Sequence, residues 1–274
     1  MFKKHTTKIT LDKDFVINSI KLDKMYLKTI QASAFKACFE VLKDILNDVN
    51  IIFTPEGIKI TTLDTARAAL VDVFMVGENF EEYECVSNEI IAGINITNTF
   101  KLLKPITNND TLAISITDKE YLHFKIENES KKTNTQFKLK LLDIDEDHIQ
   151  IPDIKTDVTS LLPSMDFQRI CRDMTNLAGE IRIAREDNIL KFDCEGDFAN
   201  QKTEIECVDN EDFKGNLNGV YSLKYLNLFT KATGMCSTVQ IMMEKDMRFL
   251  ILKYNIANLG ELKFFLATKV DDEY

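Results

Sequence analysis

Four pairs of basic residues are the groups in this chain best placed to do chemistry. They are Lys36 with Lys43, Lys101 with Lys104, Arg169 with Arg172, and Lys224 with Lys231. Spacings of three or seven return to nearly the same side of a helix, so each pair can project from one helical face. A charged outer helix face is ordinarily just solvated. Glu40, Asp44, Asp166 and Asp173 sit among these residues and can serve as their i, i+4 partners. The pattern gains meaning from its recurrence in a chain whose formal net charge is −10. Helices that gather cations while the rest of the chain holds the acids suggest one surface built for a polyanion. Lysine and arginine on phosphates give affinity without reading bases.

Other chemistries find little support. There is no G-x-x-x-x-G-K-[ST] loop and no G-x-G-x-x-G turn. His5, His123 and His148 are scattered, without the spacing of a metal site. The acids Asp143 and Asp145 could hold a divalent cation weakly, although an exposed acidic run is the commoner arrangement. Six cysteines (38, 85, 171, 194, 207 and 236) make no C-x-x-C pair. With no signal peptide, they read as reduced thiols of an intracellular protein. No Ser-His-Asp or Cys-His nucleophile is legible, and no catalytic activity, cofactor or metal is expected.

The elements that carry the basic pairs follow from periodicity. Phe35, Cys38, Phe39, Leu42, Ile45 and Leu46 form an apolar stripe behind Ser33 as predicted N-cap. Thr97 is expected to cap a helix over Asn98–Lys104, and Ser164 one whose stripe is Phe167, Ile170, Cys171, Met174 and Leu177. Ser222 is expected to cap Leu223–Ala232. Short strands are predicted between them: Met25–Ala32, Val49–Phe53, Gly57–Thr62, Ala68–Met75, Tyr83–Val86, Thr111–Thr117, Tyr121–Glu127 and Asn134–Leu142 in the first half. The second half offers Glu180–Ala184, Ile189–Cys194, Thr203–Val208, Thr238–Glu244, Phe249–Tyr254 and Gly260–Leu266. The N-cap candidates recur at intervals of roughly sixty residues, an internal repeat of one helix followed by several strands.

Between the two halves lies Leu139–Lys155, acidic, with Ile144, Ile149, Ile151 and Ile154 apolar and Pro152 barring a ladder bond. It reads as an extended connector. At 274 residues, 45% hydrophobic and 28% charged, the chain has material for two ordinary domains. The expected fold class is α+β, with helices packed on one face of antiparallel sheets. The expected divisions are an arm over 1–24, domains over 25–138 and 156–274, and the connector over 139–155. The arm holds one strand candidate, Phe15–Leu22, and no segment is apolar enough for a membrane span.

Three long stretches carry a resemblance. They are Phe167-Gln168-Arg169-Ile170-Cys171-Arg172-Asp173, then Tyr225-Leu226-Asn227-Leu228-Phe229-Thr230-Lys231-Ala232-Thr233, and Ile256–Ala267 with its Ala257-Asn258-Leu259-Gly260-Glu261-Leu262-Lys263 core. Together with Val41-Leu42-Lys43-Asp44, Gly93-Ile94-Asn95-Ile96-Thr97 and the connector's Lys140–Asp145, they closely resemble proliferating cell nuclear antigen, the eukaryotic sliding DNA clamp. The match is collinear from about Met25 to the C-terminal acids.

The resemblance implies two similar clamp domains per chain and a head-to-tail homotrimeric ring around duplex DNA, a processivity factor and docking platform. Lys36, Lys43, Lys101, Lys104, Arg169, Arg172, Lys224 and Lys231 would then face DNA. Phe137, Leu139 and Leu141 would meet Phe198, Thr203 and Ile205 of the next subunit, within the segments Asn134–Leu142 and Phe198–Glu206. A pocket for short hydrophobic peptides of polymerase, clamp loader ATPase, flap endonuclease and DNA ligase would comprise Leu63, Arg67, Ala68, Leu70, Ile149, Ile151, Pro152, Phe265, Ala267 and Thr268. Location would be the nucleus, or the site of viral DNA replication for a viral member.

The chain departs from the pattern. Arg67 stands where the family often has histidine, and Thr268 where it usually has proline. The loop Arg185-Glu186-Asp187-Asn188 lacks the lysine that eukaryotic members use for ubiquitin. The arm and the absence of tryptophan mark a divergent member, viral or protist. Alternatives are a checkpoint-type clamp subunit, a monomeric processivity factor, an acidic scaffold whose basic helices are merely solvated, and a metal-assisted nuclease using clustered acids.

Overall fold

A computed structural model describes residues 24–145, 149, 154–207 and 213–269. Residues 1–23 of the arm, with its strand candidate, and the connector residues His148, Ile151 and Pro152 lie outside the described residues.

The chain runs as four copies of strand–helix–three strands. The first copy is β1 (Met25–Thr29), α1 (Ala32–Leu42), β2 (Asp48–Thr54), β3 (Gly57–Leu63) and β4 (Ala69–Val76), with an added β5 (Glu82–Cys85). The second is β6 (Ile90–Asn95), α2 (Ile96–Leu103), β7 (Thr111–Ile116), β8 (Tyr121–Asn128) and β9 (Thr133–Lys140). After the connector come β10 (Val158–Pro163), α3 (Ser164–Thr175), β11 (Glu180–Glu186), β12 (Ile189–Glu195) and β13 (Asn200–Glu206). The last copy is β14 (Asn216–Ser222), α4 (Leu223–Phe229) with a 3-10 turn over Thr230–Gly234, β15 (Thr238–Met243), β16 (Phe249–Ile256) and β17 (Gly260–Ala267).

Within each half the copies exchange their first strands. β1 lies beside β7 of the second copy, and β6 beside β2 of the first; β10 and β15, and β14 and β11, repeat this in the second half. All these pairings are antiparallel. The result is a sheet ordered β5-β1-β7-β8-β9, a sheet ordered β13-β12-β11-β14, and an eight-stranded sheet ordered β10-β15-β16-β17-β4-β3-β2-β6. The eight-stranded sheet exists because β17 pairs with β4, from Gly260 opposite Met75 to Leu266 opposite Ala69. That ladder joins the halves through backbone bonds.

One apolar core spans both halves, with Phe35, Phe39, Phe167 and Phe229 from the helices meeting Val71, Leu252 and Phe264 from the sheet. Phe229 stacks on Phe264 with centroids 4.3 Å apart. Along the eight-stranded sheet, side chains alternate between this core and the opposite face. Leu70, Ile251 and Phe265, each next in sequence to a core residue, form a separate small cluster there.

The helix starts differ from expectation. α1 is capped at Gln31, not Ser33: the Gln31 carbonyl accepts from Ala34 and Phe35, and its own N–H donates to Thr29 Oγ1. α2 is capped at Asn95, not Thr97: the Asn95 amide oxygen accepts from the Asn98 N–H at 2.9 Å. α3 is capped at Pro163, and the Ser164 hydroxyl instead donates to the Cys236 carbonyl. Ser222 does occupy the α4 cap position, without a side-chain cap bond. Three strands preceding helices, β6, β10 and β14, were not anticipated.

Candidate nucleic-acid interface and partner pocket

The helices make one continuous layer. α1 packs on α2, α3 packs on α4, and α1 crosses the domain junction to touch the Thr230–Gly234 turn. Each helix turns its apolar stripe to the common core, so its polar face points away from the sheet.

On that polar face the predicted cations divide into two groups. Lys101, Lys104, Arg169, Arg172 and Lys224 are exposed. Lys101 donates to Asn98 Oδ1 at 3.2 Å within its own helix. Arg169 and Arg172 keep side-chain exposures of 58% and 69%, with only loose 3.6 Å approaches to Asp166 and Asp173. Such exposed pairs contribute little to stability, and these guanidinium groups are available to a phosphate.

Lys43 and Lys231 differ, since both grip Asp44, at 3.1 and 2.6 Å. Lys43 also lies over the Phe100 ring, 5.3 Å from its centroid. Burial pushes the Asp44 carboxyl up, but the two ammonium groups outweigh it and hold the group below the usual carboxylate range. This triad ties α1 to the turn after α4. Lys36, half-buried, donates to the Ile106 carbonyl at 2.6 Å, closing the end of α2.

The opposite face carries the second site. Leu70, Ile251 and Phe265 are surrounded by Leu63, Ile149, Ile154, Met242 and Phe249. Strands of both halves and two connector residues thus build one apolar patch on the sheet face away from the helices. Of the residues expected in the pocket, Leu63, Leu70, Ile149 and Phe265 are brought together here. Ala68 and Ala267 are linked beside it by a 3.4 Å backbone bond, and Thr268 follows with its N–H on the Arg248 carbonyl at 3.0 Å. Arg67 takes φ 55° in the turn that forms the rim. An adjoining cleft of about 500 Å³ contains Leu63, Arg67 and Ile149. Met242, Phe249, Ile251 and Ile154 were missed from the sequence.

Asp64 holds that rim, a role the sequence also concealed. Its carboxylate accepts from the N–H groups of Ala66, Ala68 and Ala69 at 2.8–3.1 Å. It also accepts from the Tyr225 hydroxyl of α4 at 2.6 Å, across the domain junction. Burial raises the carboxyl, yet the Tyr225 hydroxyl and the three N–H groups prevail and hold it below the ordinary range. Tyr225 is correspondingly pushed up to about 12, by burial first and by Asp64 second.

Asp64→Ala strands four donors and is expected to cost about 3 kcal/mol in urea unfolding. The depressed pKa fixes the sign of the pH dependence. The carboxylate stabilises fully above its unfolded pKa of about 3.9, and the contribution is lost as pH falls through the lower folded value. The gap between wild type and Asp64→Ala should therefore be full at neutral pH and shrink below about pH 4.

The residues expected at a subunit boundary lie on two open edges. Phe137 and Leu139 on β9, and Thr203 and Ile205 on β13, are half-buried, while the alternate residues of both strands are exposed. Leu141 follows β9 and donates its N–H to the Glu120 carbonyl. Phe198 precedes β13 in the turn and is 77% exposed, so it is not part of that strand. Among the described residues no group of three His, Cys, Asp or Glu could hold a metal ion. Asp143 and Asp145 line different clefts. No described helix is long and apolar enough to cross a membrane.

Two family models cover nearly all of the described residues. The family model for the N-terminal domain of proliferating cell nuclear antigen matches residues 25–149, and that for its C-terminal domain matches residues 150–269. The chain belongs to the proliferating cell nuclear antigen family. A relative, the probable DNA polymerase sliding clamp 1 of Paramecium bursaria Chlorella virus 1, is 38% identical over 252 residues, covering 88% of this chain and 95% of that protein. The proliferating cell nuclear antigen match thus takes in the four α-helices and seventeen strands among the described residues, and it begins where β1 does.

Proposed function

We infer that three copies of this chain close head-to-tail into a ring whose helical layer faces duplex DNA. Membership of the family makes the chain a sliding clamp and polymerase processivity factor, a non-catalytic role. The ring itself is supported by one observation above the others. The β4–β17 ladder joins the fourth strand of one half to the last strand of the other, and the same two strand types, β13 and β9, have no strand partner on that side among the described residues. An open edge is an aggregation hazard, whereas a head-to-tail contact of β9 with β13 of the next chain repeats an existing joint.

The repeat also gives the register. Leu27 and Ser160 hold the same place in β1 and β10. Their ladder partners lead through Ile114, Phe124 and Phe137 in one half and through Ile241, Leu252 and Phe264 in the other. Phe137 is therefore the counterpart of Phe264. By the same tracing from Val49 and Ile181, Phe74 corresponds to Glu204, so Val71 corresponds to Gln201. Val71 pairs with Phe264, so Gln201 would face Phe137 of the next chain, and Lys202 would face Gln136.

On this reading Lys101, Lys104, Arg169, Arg172 and Lys224 contact phosphates, and Lys36, Lys43 and Lys231 reinforce the helical layer as well as its charge. Many weak phosphate contacts let a topologically held ring slide. The apolar patch on the outer face receives hydrophobic peptides of polymerase, loader ATPase, flap endonuclease and ligase, with connector residues Ile149 and Ile154 at its border. The site of action is the nucleus or a viral replication site.

Gln136→Cys with Lys202→Cys tests the ring. Both side chains are exposed and outside the core. Oxidation should convert the double variant into a covalent species of three chains, three times 31.5 kDa, while each single variant stays uncrosslinked. A covalent dimer with no free joint, or no crosslink in a species that light scattering shows to be monomeric, would overturn threefold closure.

A further inference from the structure

Asp44 stands where helix energetics alone would not put it. α1 ends at Leu42 with Lys43 as its C-cap, and Asp44 follows at once. A carboxylate there meets the negative pole of the helix, which disfavours it. Two ammonium groups hold it in place instead. Lys43 Nζ donates to Asp44 Oδ1 at 3.1 Å, and Lys231 Nζ donates to Oδ2 at 2.6 Å.

These side chains line a cleft of about 350 Å³ in the helical layer, at the domain junction. Its charged lining is Lys43 and Lys231 against Asp44 and Glu40, so the cleft is neutral overall. Glu40 is exposed and makes no ion pair among the described residues. The other acids of this layer are held loosely, Asp166 and Asp173 lying 3.6 Å from Arg169 and Arg172. Among the described residues of the helical layer, Asp44 alone engages two cations, both at hydrogen-bond distance. The site is within reach of solvent, with side-chain exposures of 45% for Lys231 and 30% for Asp44.

A carboxylate presents two oxygens to two ammonium groups, as a phosphodiester presents its two non-bridging oxygens. Lys43 and Lys231 are therefore occupied before any DNA arrives. We propose that Asp44 is a built-in competitor for phosphate, withholding Lys43 and Lys231 from the DNA backbone and keeping the grip of the clamp weak. This rests on the reading that the helical layer faces DNA. A phosphate passing the junction has to displace the carboxylate to gain these lysines, and the carboxylate recovers them as the phosphate moves on.

The test is Asp44→Asn, which removes the charge at nearly constant shape. Binding of a fluorescein-labelled linear duplex is followed by anisotropy over a salt series, at concentrations where light scattering gives equal masses. Affinity at physiological salt should rise by about five- to twentyfold, and the salt slope should steepen by about 0.9 for each lysine released. The second arm compares Lys43→Gln with Lys231→Gln against the same pair carrying Asp44→Asn. Both lack the bridge across the junction, so their difference isolates the Asp44 charge. There the gain should vanish, since no lysine remains to be released. A gain that persists would overturn the proposal, because Asp44 would then act by general repulsion. Unchanged binding by Asp44→Asn, beside weakened binding by Arg169→Glu with Arg172→Glu, would overturn it and leave the DNA face standing. Wild-type binding by that arginine variant would instead remove the DNA face, and the proposal with it.

Discussion

With Arg169, Arg172 and Lys224 changed together to glutamate, affinity for duplex DNA at physiological salt is expected to fall about a hundredfold. Each lost phosphate contact removes about 0.9 from the salt slope, or roughly fivefold in affinity at that ionic strength. Sedimentation should report an unchanged assembly, because Arg169 and Arg172 make only exposed ion pairs and Lys224 is exposed. The readout is retention on nicked circular DNA across a salt series, with linear DNA as the control for topology. Wild-type retention by the triple variant would assign DNA to another surface. Lys43 and Lys231 are unsuited to this test. Their partner Asp44 spans the domain junction, so reversing them would weaken the fold and the DNA face together.

Leu70→Glu is expected to weaken binding of a hydrophobic polymerase peptide by about a hundredfold, in the range of a central anchor position. The substitution places a charge at the middle of the patch formed with Ile251 and Phe265. Leu70 belongs to the small outer cluster and not to the main core, so the urea midpoint should move far less than for a core residue. Fluorescence anisotropy of a labelled peptide measures the first effect and denaturation the second. DNA retention should be untouched, since the helical layer lies across the sheet. Undiminished peptide affinity would move the partner site elsewhere.

Much of this arrangement was legible, for identifiable reasons. The stripes through Phe35 and Phe167 are regular, so helices and their basic faces emerged together. Three of the four caps did not, because hydroxyl residues at Ser33, Thr97 and Ser164 satisfy the usual preference while the actual turn is set by Thr29, Asn95 and Pro163. β6, β10 and β14 escaped because Ile90–Ile94 has no period, Val158–Pro163 ends in proline and Asn216–Ser222 contains Gly219. The outer patch did leave a signal: Phe249-Leu250-Ile251-Leu252 is apolar without alternation, as expected of a strand covered on both faces. Asp64 with Tyr225 and Asp44 with Lys231 join residues from opposite halves, and no local pattern encodes such pairs.

The β4–β17 ladder implies that a ring of this kind has joints of two strengths. Inside the chain, core-facing positions pair Val73 with Leu262 and Val71 with Phe264. In the proposed ring the corresponding positions between chains would set Thr203 against Thr135 and Gln201 against Phe137. The inner joint is also tethered by the connector, which keeps its two sides at high effective concentration even when they part. Opening for passage of DNA would then fall at chain boundaries, leaving each pair of domains as a rigid jaw.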